Sequence, residues 1–155
     1  MRRGKIQKRK LLPDPKYNDL LVSKFINILI LKGKKSKAEK IVYNAMEEVS
    51  KKINKEPLEI LSKAVNNVRP LLEVKARRIG GATYQVPIEV NEERGRAIAL
   101  RWIRDFARVK KGMPMEKKLG GEILDAYKGE GASMKKRADT HKMAESNKAF
   151  AHFRF

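Results

Sequence analysis

The side chains in this sequence that can do chemistry are mostly cations. Thirty-seven Lys and Arg stand against eighteen Asp and Glu, a formal net charge of +19 over 155 residues. Such an excess repels itself and attracts polyanions, and nucleic acid is the commonest polyanion that neutralises it. The sharpest local signal is the set Arg94, Arg101, Arg104, Arg108 and Lys111, which falls within about 100° on a helical wheel. Ile98, Trp102, Phe106 and Val109 fall on the other side and are expected to form that helix's core face. A solvated surface usually mixes signs, and between residues 94 and 111 only Asp105 lies near the edge of the stripe, so the spacing points to an RNA- or DNA-facing helix.

Further basic groups extend this surface. Arg2, Arg3, Lys5, Lys8, Arg9 and Lys10 make a basic tail, read as an arm that orders on a phosphate backbone; Lys34, Lys35 and Lys37 follow a helix end. Lys75, Arg77 and Arg78 lie in one half of a hairpin, and Lys135, Lys136 and Arg137 open the last helix, where they oppose its dipole unless an anion lies nearby. Tyr84 is the hairpin's sole aromatic residue, so recognition of a folded RNA's shape fits better than base stacking.

Other chemistries find no support. There is no cysteine, which excludes disulfides and thiolate metal sites. His141 and His152, eleven apart near the C-terminus, read as two ordinary surface histidines rather than a metal pair. No cysteine nucleophile and no HExxH, GxxxxGK[ST] or strand-linked GxGxxG motif is present, so neither an enzyme nor a cofactor is expected. No apolar run approaches eighteen residues and no signal-like h-region follows the basic start, so the expectation is a cytoplasmic protein with no membrane association.

The elements that position these cations are expected to be helices. Asn18 or Asp19 caps a nearly all-apolar helix running to about Leu31, expected at the centre of the core and ended by Gly33. Ser36 with Glu39 makes a capping-box pattern opening a second helix, striped by Ala38, Ile41, Val42, Ala45, Met46, Val49 and Ile53. A third begins at Pro57 and stops before Pro70. Asn91 caps the basic fourth helix. A fifth covers about Met115 to Tyr127, where Gly120-Gly121 either weakens the helix or marks a close backbone approach. Ser133 is expected to cap the last helix through about Ala149.

Between the third and fourth helices, Leu72 to Val90 alternates apolar and polar residues about Gly80-Gly81, a two-stranded hairpin. It is either an ordinary surface feature or a basic probe. Leu72, Val74 and Ala76 on one strand and Tyr84, Val86, Ile88 and Val90 on the other are all even-numbered. Pairing them on one face demands an odd-sized tip of three or five residues around Ile79 to Thr83, with a glycine at positive φ. The expected fold is therefore mainly α, about six helices with one protruding antiparallel β-ribbon. A single domain of 1–155 would hold a basic arm over 1–15, the ribbon over 72–90 and a C-terminal helix and tail over 133–155. Phe150, Phe153 and Phe155 either contact a partner or tuck back onto the body.

On residues alone two readings remain: a structural RNA-binding component of a ribonucleoprotein, and an architectural DNA-binding protein whose ribbon enters a groove. Longer motifs then identify the chain as resembling a family. Gly33-Lys34-Lys35, with Asp19-Leu20 before and Ile41-Val42 after, resembles the signature of small-subunit ribosomal protein seven. So do Arg77-Arg78-Ile79-Gly80-Gly81-Ala82-Thr83-Tyr84-Gln85-Val86-Pro87, Ala99-Leu100-Arg101-Trp102, and Met143-Ala144-Glu145-Ser146-Asn147-Lys148-Ala149-Phe150-Ala151-His152. The likeness runs nearly end to end in the short bacterial form, departing at Phe155, where bacterial members often end in Trp.

The resemblance implies a helical bundle with a β-ribbon, and a primary binder of 16S rRNA that organises the 3′ major domain, the head of the small subunit. It implies a place at the subunit interface near the decoding region, with the ribbon tip (Ile79, Gly80, Gly81, Ala82, Thr83, Tyr84) beside exit-site tRNA and mRNA. It also implies contact with small-subunit ribosomal protein eleven through the C-terminal region, where Lys148, Phe150, Phe153 and Phe155 are the contact candidates. By motif, Lys34, Lys35, Arg77, Arg78 and Arg101 are its RNA-contacting positions, and the free protein is expected to be a monomer.

Overall fold

The computed structural model describes residues 11–153; Arg2, Arg3, Lys5, Lys8, Arg9, Lys10 and Phe155 lie outside the described residues. Six α-helices, a short 3-10 helix and one antiparallel ribbon succeed one another in order: α1 (Leu20–Leu29), α2 (Lys35–Ile53), α3 (Pro57–Val68), β1 (Leu72–Ile79), β2 (Ala82–Glu89), α4 (Glu92–Val109), α5 (Met115–Lys128), α6 (Gly131–Ser146), and the 3-10 helix Lys148–Phe153. This is the helical bundle with one β-ribbon that the pattern implies.

Helix α5 packs against α2, α3 and α4, while α1 lies on α2 and α4. At Gly120 an added Cβ would lie 3.5 Å from the Ala45 carbonyl oxygen, an ordinary contact, so α5 packs directly on α2 there but the approach does not itself demand a glycine. The core joins Val22, Phe25, Val42, Met46, Leu61, Val65, Leu100, Ile103, Leu119 and Ile123. Ahead of α1, the buried Asp14 carboxylate accepts the Lys16 and Tyr17 N–H groups and, at 2.6 Å, the Tyr43 hydroxyl. Burial, and then that hydrogen bond, push the Tyr43 phenol up from its ordinary value.

Several local expectations are corrected. Helix α1 is shorter and buries only Val22, Phe25, Ile26 and Leu29, while Leu20 and Leu31 are exposed; it is amphipathic. Of the two cap candidates Asp19 serves, its Oδ1 accepting the Leu21 and Val22 N–H groups. The Ser36–Glu39 box is not made, because α2 already starts at Lys35 with Lys34 at its cap. Helix α6 likewise starts early, at Gly131 with Glu130 at the cap. Ser133 is therefore inside it and buried, and Lys135, Lys136 and Arg137 lie past its first turn. The helix ends at Ser146 and gives way to the 3-10 helix.

The ribbon's tip is also corrected. Ile79 pairs with Ala82, Arg77 with Tyr84 and Lys75 with Val86, so even-numbered residues face odd-numbered ones across a two-residue turn. Gly80 (φ +55°) and Gly81 (φ +89°) are both left-handed, as a tight turn matching the strands' twist requires. That match outweighs apolar parity here because the Tyr84–Val86 face finds cover elsewhere. Tyr84 packs on Phe150 and Phe153, with ring centroids 5.4 and 5.0 Å away, and Val86 is fully buried.

Candidate nucleic-acid interface

Helix α4 carries four of the candidate cations, Arg94, Arg101, Arg104 and Arg108. Asn91 caps it by accepting the Glu93 N–H, and Glu92 and Glu93 in its first turn suit the dipole. Its core face is Gly95, Ile98, Ala99, Leu100, Ile103 and Ala107, rotated from the expected one: Trp102 and Phe106 are only half-buried and Val109 is 73% exposed. The arginine stripe faces away from that core. Lys111 leaves the stripe, because the helix ends at Val109.

The remaining four arginines are not equivalent. Arg94 grips Glu73 of β1 with two bonds of 2.9 Å, Nε to Oε1 and NH2 to Oε2, and this tie pushes its already high pKa further up. It joins α4 to the ribbon root. Arg104 holds Asp105, keeping that carboxyl below its ordinary range against the opposing pull of burial, and also donates to Ile28 O at 3.3 Å. Arg108 donates to Leu29 O at 3.1 Å. Arg101 is exposed and bonds only its own helix, at Ala97 O. Among the described residues, Arg101 is the one arginine of these four with no bond outside its own helix. A shallow depression lined by Asn91, Glu93, Arg94, Ala97 and Arg101 lies along it.

Elsewhere, Lys34 and Lys35 sit at the start of α2 and Lys37 two residues on, all exposed; Lys35 is within 3.8 Å of Glu39. On the ribbon, Lys75 and Arg77 share the face of Val86 and Tyr84, whereas Arg78 shares the opposite face with Thr83. Lys75 and Arg78 are exposed; Arg77 is half-buried, its Nε enclosed without a hydrogen-bond partner. Lys135 and Lys136 are exposed on α6, and Arg137 is half-buried with an enclosed, unpartnered Nε. The tip residues Gly80, Gly81, Ala82 and Thr83 are exposed, while Ile79 and Tyr84 are half-buried. Lys148 is exposed at the start of the 3-10 helix, whose Phe150 and Phe153 fold back on Tyr84.

Two residues that hold these groups in place are given no such role by the sequence, which reads His141 as an ordinary surface histidine. His141 accepts the Leu71 N–H at Nε2 (3.0 Å), fastening α6 to the ribbon root; burial, then Arg137, push its imidazole pKa down. Glu122 of α5 is 1% exposed and takes both the N–H and the hydroxyl of Ser133. Its spacing was a signal: an acid three residues after Leu119 and four before Ala126 stands in the apolar stripe. Among the described residues no cluster of three His, Cys, Asp or Glu could hold a metal, and no helix is long and apolar enough to cross a membrane.

Fold and surface together define a class: a small, strongly basic helical protein with a ribbon, whose exposed cations are spread for a large polyanion rather than gathered round a substrate. Known proteins of that class resemble it closely. The model of the family described as ribosomal protein S7p/S5e matches residues 1–148. The small ribosomal subunit protein uS7 of Thermosipho africanus is 59% identical over 155 residues, covering 100% of both chains. Its counterpart from Thermosipho melanesiensis is 57% identical over 155 residues with the same coverage. One from an Anaeromyxobacter strain (Fw109-5) is 53% identical over 154 residues, 99% of each. The chain belongs to the ribosomal protein S7p/S5e family.

Proposed function

We infer that this protein is a structural, non-enzymatic constituent of the small ribosomal subunit that binds its 16S rRNA in the cytoplasmic ribosome. The observation that carries this reading is the family match over nearly the whole chain, at 53–59% identity to relatives named as small-subunit proteins. The dispersed exposed cations fit it, since phosphate contacts position a protein on folded RNA.

Within the subunit, the protein acts as a primary binder organising the head, the 3′ major domain. Arg101, Lys34, Lys35, Lys37, Lys75, Arg78, Lys135 and Lys136 are the exposed RNA-facing candidates, joined by the basic tail. The ribbon tip lies beside exit-site tRNA and mRNA, and the C-terminal segment meets small-subunit ribosomal protein eleven. What supports the ribbon's part is its exposed glycine tip with Lys75 and Arg78 behind it. The test is footprinting of the purified protein on small-subunit rRNA, with duplex DNA as control. Protection of one subdomain of the 3′ major domain is expected. Equal affinity for the duplex, with bending, would instead make the chain an architectural DNA binder.

A further inference from the structure

Arg104 and Arg108 lie on the helix face expected to meet phosphate, yet both guanidinium groups reach across to α1. The last carbonyls of a helix lack an amide four residues on, and α1 has no basic residue in its last turn. Its final in-helix bond of this kind runs from the Ile30 N–H to Ile26 O, leaving Asn27 O, Ile28 O and Leu29 O beyond it. Arg104 and Arg108 take the last two of these, at 3.3 and 3.1 Å. The two arginines thus cap a neighbouring helix at the end where its dipole favours a cation.

Beyond that cap the chain enters the α1–α2 loop. It turns through Lys32 (φ +51°) and Gly33 (φ +72°), held by bonds from the Lys34 N–H to Leu31 O and from the Lys35 N–H to Gly33 O. Leu31 is 63% exposed and does not anchor the loop in the core. Between loop and α2 lies a cleft of about 280 Å³, floored by Leu29 and Ile41 and rimmed by Lys32, Lys34 and Lys37. Lys32 and Lys34 belong to the loop itself, so their placement depends on the α1 end being fixed, whereas Lys37 is held by α2.

We propose that Arg104 and Arg108 are positioning residues for RNA binding, which fix the α1–α2 loop and act through its Lys32 and Lys34 rather than on phosphate. This rests on the rRNA-binding reading above. Arg101, one helical turn before Arg104 and free of such bonds, acts directly.

The test uses the Arg104→Met/Arg108→Met protein, which keeps much of each aliphatic stem while removing the donors. In the free protein, amide exchange at Lys34 and Lys35 is expected to quicken at least about tenfold, with α2 core amides unchanged and Arg101→Met without effect. On small-subunit rRNA, the affinity lost to the double variant is expected largely to vanish in a Lys32→Gln/Lys34→Gln background, whereas the Arg101→Met loss persists there. Unchanged loop exchange overturns the proposal, as do losses that simply add to those of the lysines. Faster exchange with undiminished RNA affinity reduces the pair to a structural cap and also overturns it. Should the unaltered protein itself fail to bind rRNA, the functional reading falls, and the arginines' assigned role falls with it. If the double variant does not fold, Arg104→Met alone, losing the longer bond, carries both measurements.

Discussion

Replacing Glu122 with Ala should be among the most damaging single changes in the helical body. The carboxylate is 1% exposed; its Oε1 accepts the Ser133 N–H at 3.1 Å and the Ser133 hydroxyl at 2.6 Å, and its Oε2 lies 2.9 Å from Lys110 Nζ. Burial pulls the Lys110 pKa down, but Glu122 and Asp125 together outweigh it and leave it raised. Hydrogen bonds to a charged group each contribute about 1.5–3 kcal/mol, and orphaning partners in a buried pair costs about 3–5 kcal/mol. Because Lys110 keeps Asp125 at 3.3 Å, the lower half of that range, about 3–4 kcal/mol, is expected. For a chain of this size that is a fall in melting temperature of about 6–16 °C. Glu122→Gln, which can still accept from Ser133 but turns an amide toward Lys110, should fall between. Ser133→Ala should cost about 1–2 kcal/mol, and its cycle with Glu122→Ala should show coupling above about 0.5 kcal/mol. Urea and thermal unfolding followed by circular dichroism measure all three. A loss below about 1 kcal/mol for Glu122→Ala, or strict additivity with Ser133→Ala, would refute this account of how α6 is docked.

Glycines give a contrast in sign: Gly121→Ala, whose Cβ would meet only Lys110 Nζ at 3.7 Å, should stabilise α5 by about 0.5–1 kcal/mol. Gly95→Ala should destabilise despite the same helical preference, since its Cβ would lie 2.8 Å from Arg69 Cγ and 3.3 Å from Pro70 O; thermal melts of the pair decide it. Tyr84→Ala removes two aromatic contacts, each contributing about 0.5–1.5 kcal/mol, and should speed amide exchange over 148–153 more than in α2. Equal protection would mean the 3-10 helix is held by something else. His141 has a folded pKa below its ordinary 6.5, so the unfolded chain takes its proton first. Its contribution is present above that value and lost as pH falls through the folded pKa. Stability measured between pH 7 and 5 should therefore decline more steeply in the unaltered protein than in His141→Ala.

The helices were legible because their apolar spacing is set by the core they build: Ala38, Val42, Ala45, Met46 and Val49 are buried as their stripe demands. So was the ribbon's position, fixed by alternation and a glycine pair. Its register was not, because parity treats a ribbon as if its strands had only each other to pack against. Tyr84 and Val86 share their face with Lys75 and Arg77, and Tyr84 is covered by the distant Phe150 and Phe153. The fourth helix was legible as an element, but not its contacts. The partners of three of its arginines come from elsewhere in the chain, Glu73 twenty-one residues from Arg94 and Ile28 seventy-six from Arg104. A helical wheel sees a face and nothing of what faces it.

These partners change what the ribbon can be. Its root is held by the Val90 N–H to Leu71 O, by His141 on the Leu71 N–H and by Arg94 on Glu73, and its outer half by the Phe150–Phe153 pair on Tyr84. A strand pair fastened at both places presents its tip in one direction, so contacts there need not bear the cost of ordering it. The cations it presents differ accordingly. Arg77 is half-buried on the covered face, while Lys75 and Arg78 are exposed on opposite faces. Neutralising Lys75 or Arg78 should each lower the salt dependence of rRNA binding by about one phosphate contact, whereas Arg77→Gln should change stability more than slope. An equal slope change at all three positions would mean that Arg77 leaves its place on the ribbon when RNA binds.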